Sequence, residues 1–425
     1  MDKYEILAKI EEYRGSQEYR LMKLYADYYL VKNPDLVNRT ASRASIGKTP
    51  NWFVPTAYYP TIVDSMAGFL FGDVEYTGDS VEVITELMRE NNGDVKDMLT
   101  GTYALAYGRA YELVYKDDNG IRFASVDPLQ IIPIYSDTIE QELEGAIWVR
   151  ESNGVEYVDY ITKDVWQYYK KTQTIDEATQ EVSTNLEVVQ EEKELLLSEC
   201  PVIEYRSTLI GNGSPFDNVI NYIIALDWAI TGNSNEIDRL VDALLVIGSE
   251  IAKGDLEFMD SWKAITGVGK DEIAPYFIDK NSSPEFRRYV TELLINEIHK
   301  HSHVIDWYAP ESGGNLSAKA LKIRLFDMNL FSKRIEKVYK NGIYKRLRLL
   351  DYYSTKIDAK TIEGIVVEFN RTLPDDTDEL LINLRGADWI SMRTKQRWTG
   401  LDPDDEMRLL QEEQPEIDLS MFEGL

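Results

Sequence analysis

The sequence predicts an α+β protein in which helices come first, a run of strands follows, and long helices come last. Three observations carry this. Residues 1–108 repeat apolar side chains at three- and four-residue spacing. Residues 110–205 break into short alternating runs separated by turn residues. Residues 218–350 hold long helical stripes, interrupted by one short insertion rich in Gly, Asp and Lys.

Met1–Val31 reads as helical, with Ile6, Ile10, Tyr13, Leu21, Leu24 and Tyr28 in phase. Asn33–Lys48 is a polar surface loop. Its Gly47-Lys-Thr49 looks like the tail of a phosphate loop, but Ser42 stands where the first glycine belongs and Pro50 where the helix should start. Tyr58–Phe71 is an apolar helix stopped by Gly72. Val74–Tyr76 is a short strand, and Ser80–Glu90 and Asp94–Gly108 are two further helices. Ala110–Tyr115 and Ile121–Val126 form a hairpin around Asp117–Gly120. Ala146–Arg150, Val155–Ile161 and Val165–Lys170 read as a meander, and Val202–Tyr205 closes this part. Between them Thr172–Glu199 holds eight acids against Lys193 alone and reads as a mobile exposed hairpin or loop.

Asn218–Leu245 is a long helix with Asp217 as its cap, and Gly232 is a place where it could kink. Gly248–Asn281 is a small α/β insertion. Ser283 and Pro284 open the next helix, to about Val304, with Tyr289, Leu293, Leu294 and Ile298 near helical spacing. A breaker cluster of Pro310, Ser312, Gly313, Gly314 and Asn315 follows, with Trp307 and Tyr308 beside it. From about Ser317 to Leu350 runs the longest helix. Its stripe is Leu321, Leu325, Met328, Phe331, Ile335, Val338 and Ile343, and it carries ten Lys or Arg against Asp327 and Glu336. Ile365–Asn370 is a strand. Helical pieces over Thr377–Arg385, Ser391–Thr399 and Asp404–Glu413 complete a tail with fourteen acids and five bases in 375–425.

Composition narrows the function. The chain has 425 residues, enough for two or three domains, and 44% hydrophobic content with 27 Tyr and 8 Trp builds a core. A net charge of −28 argues against broad DNA binding, because phosphate contacts need cations. A basic helix inside so acidic a chain reads either as a solvated basic face or as a helix set against an acidic neighbouring subunit or nucleic acid. A single cysteine, Cys200, excludes an internal disulfide and a thiolate cluster, and reads as a small buried hydrophobe. Asp2, Glu5, Glu11 and Glu12 make the first helix unlike a secretory leader, and no run approaches the ~18 apolar residues of a membrane span. A soluble cytoplasmic protein is expected.

Chemistry is sparse. His299 and His303 are four apart and could share a helix face, but nothing nearby completes a metal set. A polar helix end is the simpler reading. Asp402, Asp404, Asp405 and Glu406 read as a helix N-terminus, with Asp402 as cap before Pro403, rather than as a two-metal nuclease site. No nucleophile elbow is present. We expect no enzyme activity and no cofactor.

Several stretches in order resemble the portal protein of tailed bacteriophages, the head-tail connector of long-tailed phages. They are Tyr59–Gly72, Ala106–Tyr115 with Asp117–Gly120 and Val126-Asp-Pro128, Ile131–Tyr135, Ser214–Asp227, Gly313–Leu321, and Val367–Pro374 with Ile390-Ser391. Together they span about residues 55 to 410. The resemblance implies a mixed helix and sheet wing (1–210, completed by 362–374). Stem helices (211–248 and 284–304) would flank a small α/β clip (249–283). A tunnel loop (305–316), a long basic wing/crown helix (317–361) and a short helical crown with an acidic tail (375–425) would follow. It implies a homo-oligomeric ring, usually of twelve, around a channel for double-stranded DNA. Trp307, Tyr308, Glu311, Ser312, Gly313, Gly314 and Asn315 would line the channel. Lys333, Arg334, Lys337, Lys340, Lys345 and Arg346 would be subunit contacts. Asp255, Glu257, Trp262, Lys263, Lys270 and Tyr276 would meet the terminase large subunit and the head-tail adaptor. Major capsid and scaffolding proteins are the other implied partners, with no membrane. Assembly in the host cytoplasm and a place at one vertex of the virion capsid follow. Two alternatives stand beside it: another oligomeric tail or baseplate component, and a metal-dependent phosphodiesterase using His299 and His303.

Overall fold

The computed structural model describes residues 1–37, 52–78, 81–118, 120–175, 182–241, 245–247, 264–266, 276–277, 284–307, 318–353, 362, 364–371, 391, 394–395 and 408. The chain divides into two compact units, one of 1–305 with 328–371 and one of 306–327 with 372–425. The first holds nearly all the described residues and has the expected α+β composition.

It begins with α1 (Lys3–Gly15) and α2 (Gln17–Tyr29). The stretch expected to be helical, Met1–Val31, is made of these two helices. The chain breaks because Ser16 adopts extended backbone and its hydroxyl caps α2 by accepting from the Tyr19 amide. A capping box between Asp2 and Glu5 starts α1. Helices α3 (Tyr58–Phe71), α4 (Val81–Glu90) and α5 (Gly93–Tyr107) follow, with β1 (Val74–Thr77) between α3 and α4.

Two antiparallel sheets come next. β2 (Arg109–Asp117) lies between β3 (Gly120–Val126) and β9 (Val202–Arg206). β4 (Ile131–Tyr135), β5 (Leu143–Ser152), β6 (Val155–Thr162), β7 (Val165–Ile175) and β8 (Val182–Glu194) form a five-stranded meander in that order. Pro133 is tolerated because β4 is an edge strand. Alternation sorts the meander's side chains onto two faces. Ile147, Val149 and Val158 pack on Ile6 and Ile10 of α1. Ala146, Ile161 and Trp166 pack on Tyr111, Leu113, Cys200 and Val202 around the smaller sheet. The acidic stretch expected as a mobile hairpin or loop is ordered strand for much of its length, with Thr172 opposite Asn185 and Lys171 opposite Leu186. Leu186, buried at its centre, supplies the anchor that the charge count hid.

Two long helices, α6 (Asp217–Val241) and α7 (Pro284–Ser302), pack antiparallel. Asn218 Nδ2 donates to the His301 carbonyl at one end, and Arg287 pairs with Glu236 at the other. Asp217 begins α6 and accepts from the Tyr25 hydroxyl at 2.8 Å. The helix runs on through Gly232. Between the pair, β10 (Leu245–Ile247) runs parallel to β11 (Ala264–Thr266) and antiparallel to β12 (Tyr276–Phe277). α8 (Ala318–Tyr353) is the longest helix, and β13 (Val366–Phe369) returns to pair antiparallel with β1.

α8 is locked down by charge. Arg346 is fully buried, and its Nη1 lies 2.6 Å from Asp97 of α5 and 3.2 Å from Glu112 of β2. Its Nη2 donates to the Tyr76 hydroxyl at 2.6 Å, and its guanidinium stacks 4.8 Å from the Phe123 ring. The Tyr205 hydroxyl donates to the other Glu112 oxygen at 2.7 Å. One turn earlier, Gly342 faces the Tyr205 ring so closely that a Cβ would collide with it. Burial pushes the Glu112 carboxyl up, against the pull of Arg346. Burial opposes the charge on Arg346, but Asp97 and Glu112 carry it well above the ordinary arginine range.

Removing the cation leaves two buried carboxylates facing each other. Arg346→Met is expected to cost about 3–5 kcal/mol at pH 8, read by denaturant unfolding. A raised carboxyl pKa means that the folded chain binds more protons than the unfolded one, so stability falls as pH rises. The loss should therefore shrink toward pH 5, and an equal loss at both pH values would contradict the arrangement.

Candidate functional site

The surface of α8 is where the residues singled out in the sequence divide. Lys333, Arg334 and Lys337 are exposed. Lys340 is half-buried, reaching Glu336 at 2.7 Å and the Phe369 ring at 5.5 Å. Lys345 is also half-buried. It borders a cleft of about 580 Å³ with Glu142, Glu144, Asp164 and Arg348. Arg348 is held by Glu199 through two contacts of 2.5 and 3.2 Å. Arg346 is a correction: expected at a subunit contact, it points into its own subunit and has no accessible surface. The reason is local. Asp97 and Glu112 are buried beneath that turn of α8 and need a cation.

A second buried network fixes the start of the sheet region. Arg109 Nη1 is 2.6 Å from Glu18 of α2 and 3.2 Å from Glu204 of β9, and donates to the Tyr135 hydroxyl of β4 at 2.6 Å. A third feature escaped the sequence reading. The extended segment 52–56 is strapped along α6 by three polar side chains one turn apart. The Thr56 amide donates to Asp227 at 2.8 Å, the Val54 amide to Thr231 at 3.2 Å, and the Trp52 amide to Asn235 at 2.7 Å. Asp227 is pushed up by burial while the Thr56 and Asn33 bonds pull it down. The signal was present as Asp227, Thr231 and Asn235 at four-residue spacing on an apolar helix, a polar face that needs a partner.

The histidines do not assemble a metal site. α7 ends at Ser302, and His303 takes left-handed backbone, which turns it off the face of His299. His299 Nδ1 lies 3.0 Å from the Val304 carbonyl, His301 stacks on Tyr222, and His303 stacks on Phe331 at 4.5 Å. Among the described residues no group of three or more His, Cys, Asp or Glu is placed to hold a metal ion. Nor is any described helix long and apolar enough to cross a membrane.

Of the expected channel residues, Trp307 is described and about half exposed. Tyr308, Glu311, Ser312, Gly313, Gly314 and Asn315 lie outside the described residues. Of the expected clip contacts, Tyr276 sits in β12, paired with Val246. Asp255, Glu257, Trp262, Lys263 and Lys270 lie outside the described residues, as does Gly47–Thr49 and nearly all of 375–425. On α7, Tyr289 and Leu293 are exposed, Leu294 is half-buried and Ile298 is buried, so the expected stripe is covered in part.

The longest helix is thus fixed by a buried ion-pair network and carries exposed charge on its outer face. The chain belongs to the family described as "Phage portal protein, SPP1 Gp6-like", whose model matches residues 8–418. That family is one of structural, non-enzymatic virion components, and membership gives the chain a portal or connector role. No curated protein sequence matches the chain. Among solved structures it is similar to a chain in the neck of an empty GTA particle computed with C6 symmetry. The TM-score is 0.50 at 10% identity, over 83% of this chain and 92% of that one. A chain in the neck of a native GTA particle computed with C12 symmetry gives 0.48 at 11% identity, over 83% and 91%. The first of these speaks for the fold.

Cys200 provides a check on the packing between the sheets. Burial pushes its thiol up to about 12, so thiolate is scarce at pH 8. Native protein should resist alkylation at pH 8 and take one label per chain once unfolded, as read by mass spectrometry. Rapid native labelling would mean that this core opens.

Proposed function

We propose that the chain assembles into a closed ring, usually of twelve copies in this family, at one vertex of a phage-type capsid. The ring surrounds a channel through which double-stranded DNA is packaged, retained and ejected. Residues 1–210 with strand 366–369 form the wing, α6 and α7 the stem, and the β10–β12 region the clip. Residues 305–316 form the loop facing DNA, and 375 onward the crown. The terminase large subunit and then the head-tail adaptor dock on the clip, while capsid and scaffolding proteins meet the outside.

Family membership over 8–418 is the observation that carries this reading. Three physical facts support it. The antiparallel helices α6 and α7 are linked in sequence through a small sheet, β10 to β12, which suits a contact module between two stem helices. The net charge of −28 suits a wall that DNA passes without sticking, since few cations are on hand to release its counterions. At physiological salt that repulsion is felt over about 8 Å, so it acts near the wall. Third, the exposed face of α8 is basic in an acidic chain, which supplies the unlike surfaces that a head-to-tail ring requires.

Deleting Gly313–Asn315 tests the placement of the loop. Rings should still form, while genome packaging or retention falls by about tenfold or more, scored as DNA-filled particles. Loss of ring assembly itself would show that this loop is an assembly element and that its placement is wrong.

A further inference from the structure

Two exposed patches on this subunit carry opposite charge, and among the described residues no ion pair engages the charges of either. The first lies on α8. Lys333, Arg334 and Lys337 are exposed around Leu330, which is 47% accessible. Glu336 between them is engaged by Lys340 and Arg371 and does not neutralise the outer face. The second lies on the α4–α5 hairpin. Glu82, Glu86 and Glu90 recur every four residues along α4, and Asp94 continues the interval into the first turn of α5. All four are exposed, with Arg89 the cation among them. Val95 and Leu99, 68% and 40% accessible, lie one turn apart on the outer side of α5.

Spacing of four residues puts three glutamates on one side of α4, where each repels the next. Such a stripe is unfavourable in the isolated subunit. Val95 and Leu99 add apolar surface that the subunit's own core does not cover. Each patch therefore offers charge of one sign together with exposed apolar side chains, and the two signs are opposite. Among the described residues no ion pair joins them.

We propose that the α8 patch of one subunit docks on the α4–α5 patch of the next copy. This rests on the ring reading and deepens it by naming the two surfaces that meet. The arrangement is heterologous, as ring closure requires: one surface meets a different surface, and the same contact repeats until the circle closes. Exposed ion pairs are individually weak. Their role here is to set register and reject wrong partners, since like charges brought together oppose docking strongly. Leu330, Val95 and Leu99 supply the apolar contact.

Charge reversal on each side tests this. One variant carries Lys333→Glu with Lys337→Glu, so that both its patches are acidic. The other carries Glu82→Lys with Glu86→Lys, so that both are basic. Circular dichroism and thermal melting confirm that each folds as the native chain does. Analytical ultracentrifugation and native mass spectrometry then measure the ring fraction. Each variant alone should lose ring fraction by about tenfold or more at physiological salt. An equimolar mixture should recover it as rings with alternating subunits, because every junction then joins acid to base. Normal rings from either variant alone would overturn the pairing and leave the ring reading intact. So would normal rings that fail to enter capsids or retain DNA, since the basic stripe would then serve another partner. Absence of rings from the native chain under every assembly condition would instead remove the reading on which the pairing rests.

Discussion

A single buried guanidinium governs how this chain is put together. Arg346 must sit between Asp97, Glu112 and Tyr76, because either carboxylate alone in that interior would be far more costly than the pair. Its demands set the rotation of α8 about its own axis. With Arg346 inward, Tyr339 and Ile343 also face inward, and Gly342 must be bare to clear Tyr205. Lys333, Arg334 and Lys337 are then left outward. Phe369 packs on Tyr339, so the late strand β13 is drawn to β1 by the same contact. Buried charge of this kind adds little net stability over an apolar core, and its use is to admit one arrangement and exclude others.

That constraint separates two roles that look alike in composition. Cations turned inward fix the subunit: Arg346 with Asp97 and Glu112, and Arg109 with Glu18 and Glu204. Of the cations turned outward, Arg348 is held by Glu199, while Lys333, Arg334 and Lys337 are exposed on the outer face of α8. The polar strap of Asp227, Thr231 and Asn235 serves the first purpose on α6, tying a segment without regular structure to a long helix.

The fold was legible wherever periodicity had one cause. The meander and the hairpin of β2 and β3 alternate because each has two distinct faces, and their limits fell within a few residues of those expected. On α8, Leu325, Met328, Ile335 and Ile343 are buried as their spacing implied. Periodicity misled where an apolar stripe faces outward, as at Tyr289 and Leu293 of α7, because a single sequence cannot distinguish its own core from a partner's. Charge misled at Arg346. In one dimension it is another member of a basic run, and only its long-range neighbours Asp97 and Glu112 reveal that it is internal. Met1–Val31 is helical as expected, with a break at Ser16, where serine is a favoured cap. The family was reached through ordered resemblance along the chain, since no catalytic signature in the sequence points to it.

The central claim is that one chain carries two unlike faces and closes on itself. Negative-stain imaging of the purified protein, with native mass spectrometry on the same sample, tests it most directly. The account predicts annular particles of uniform subunit number with an axial hole. Compact single subunits at every protein concentration and salt, or open filaments without closure, would contradict it.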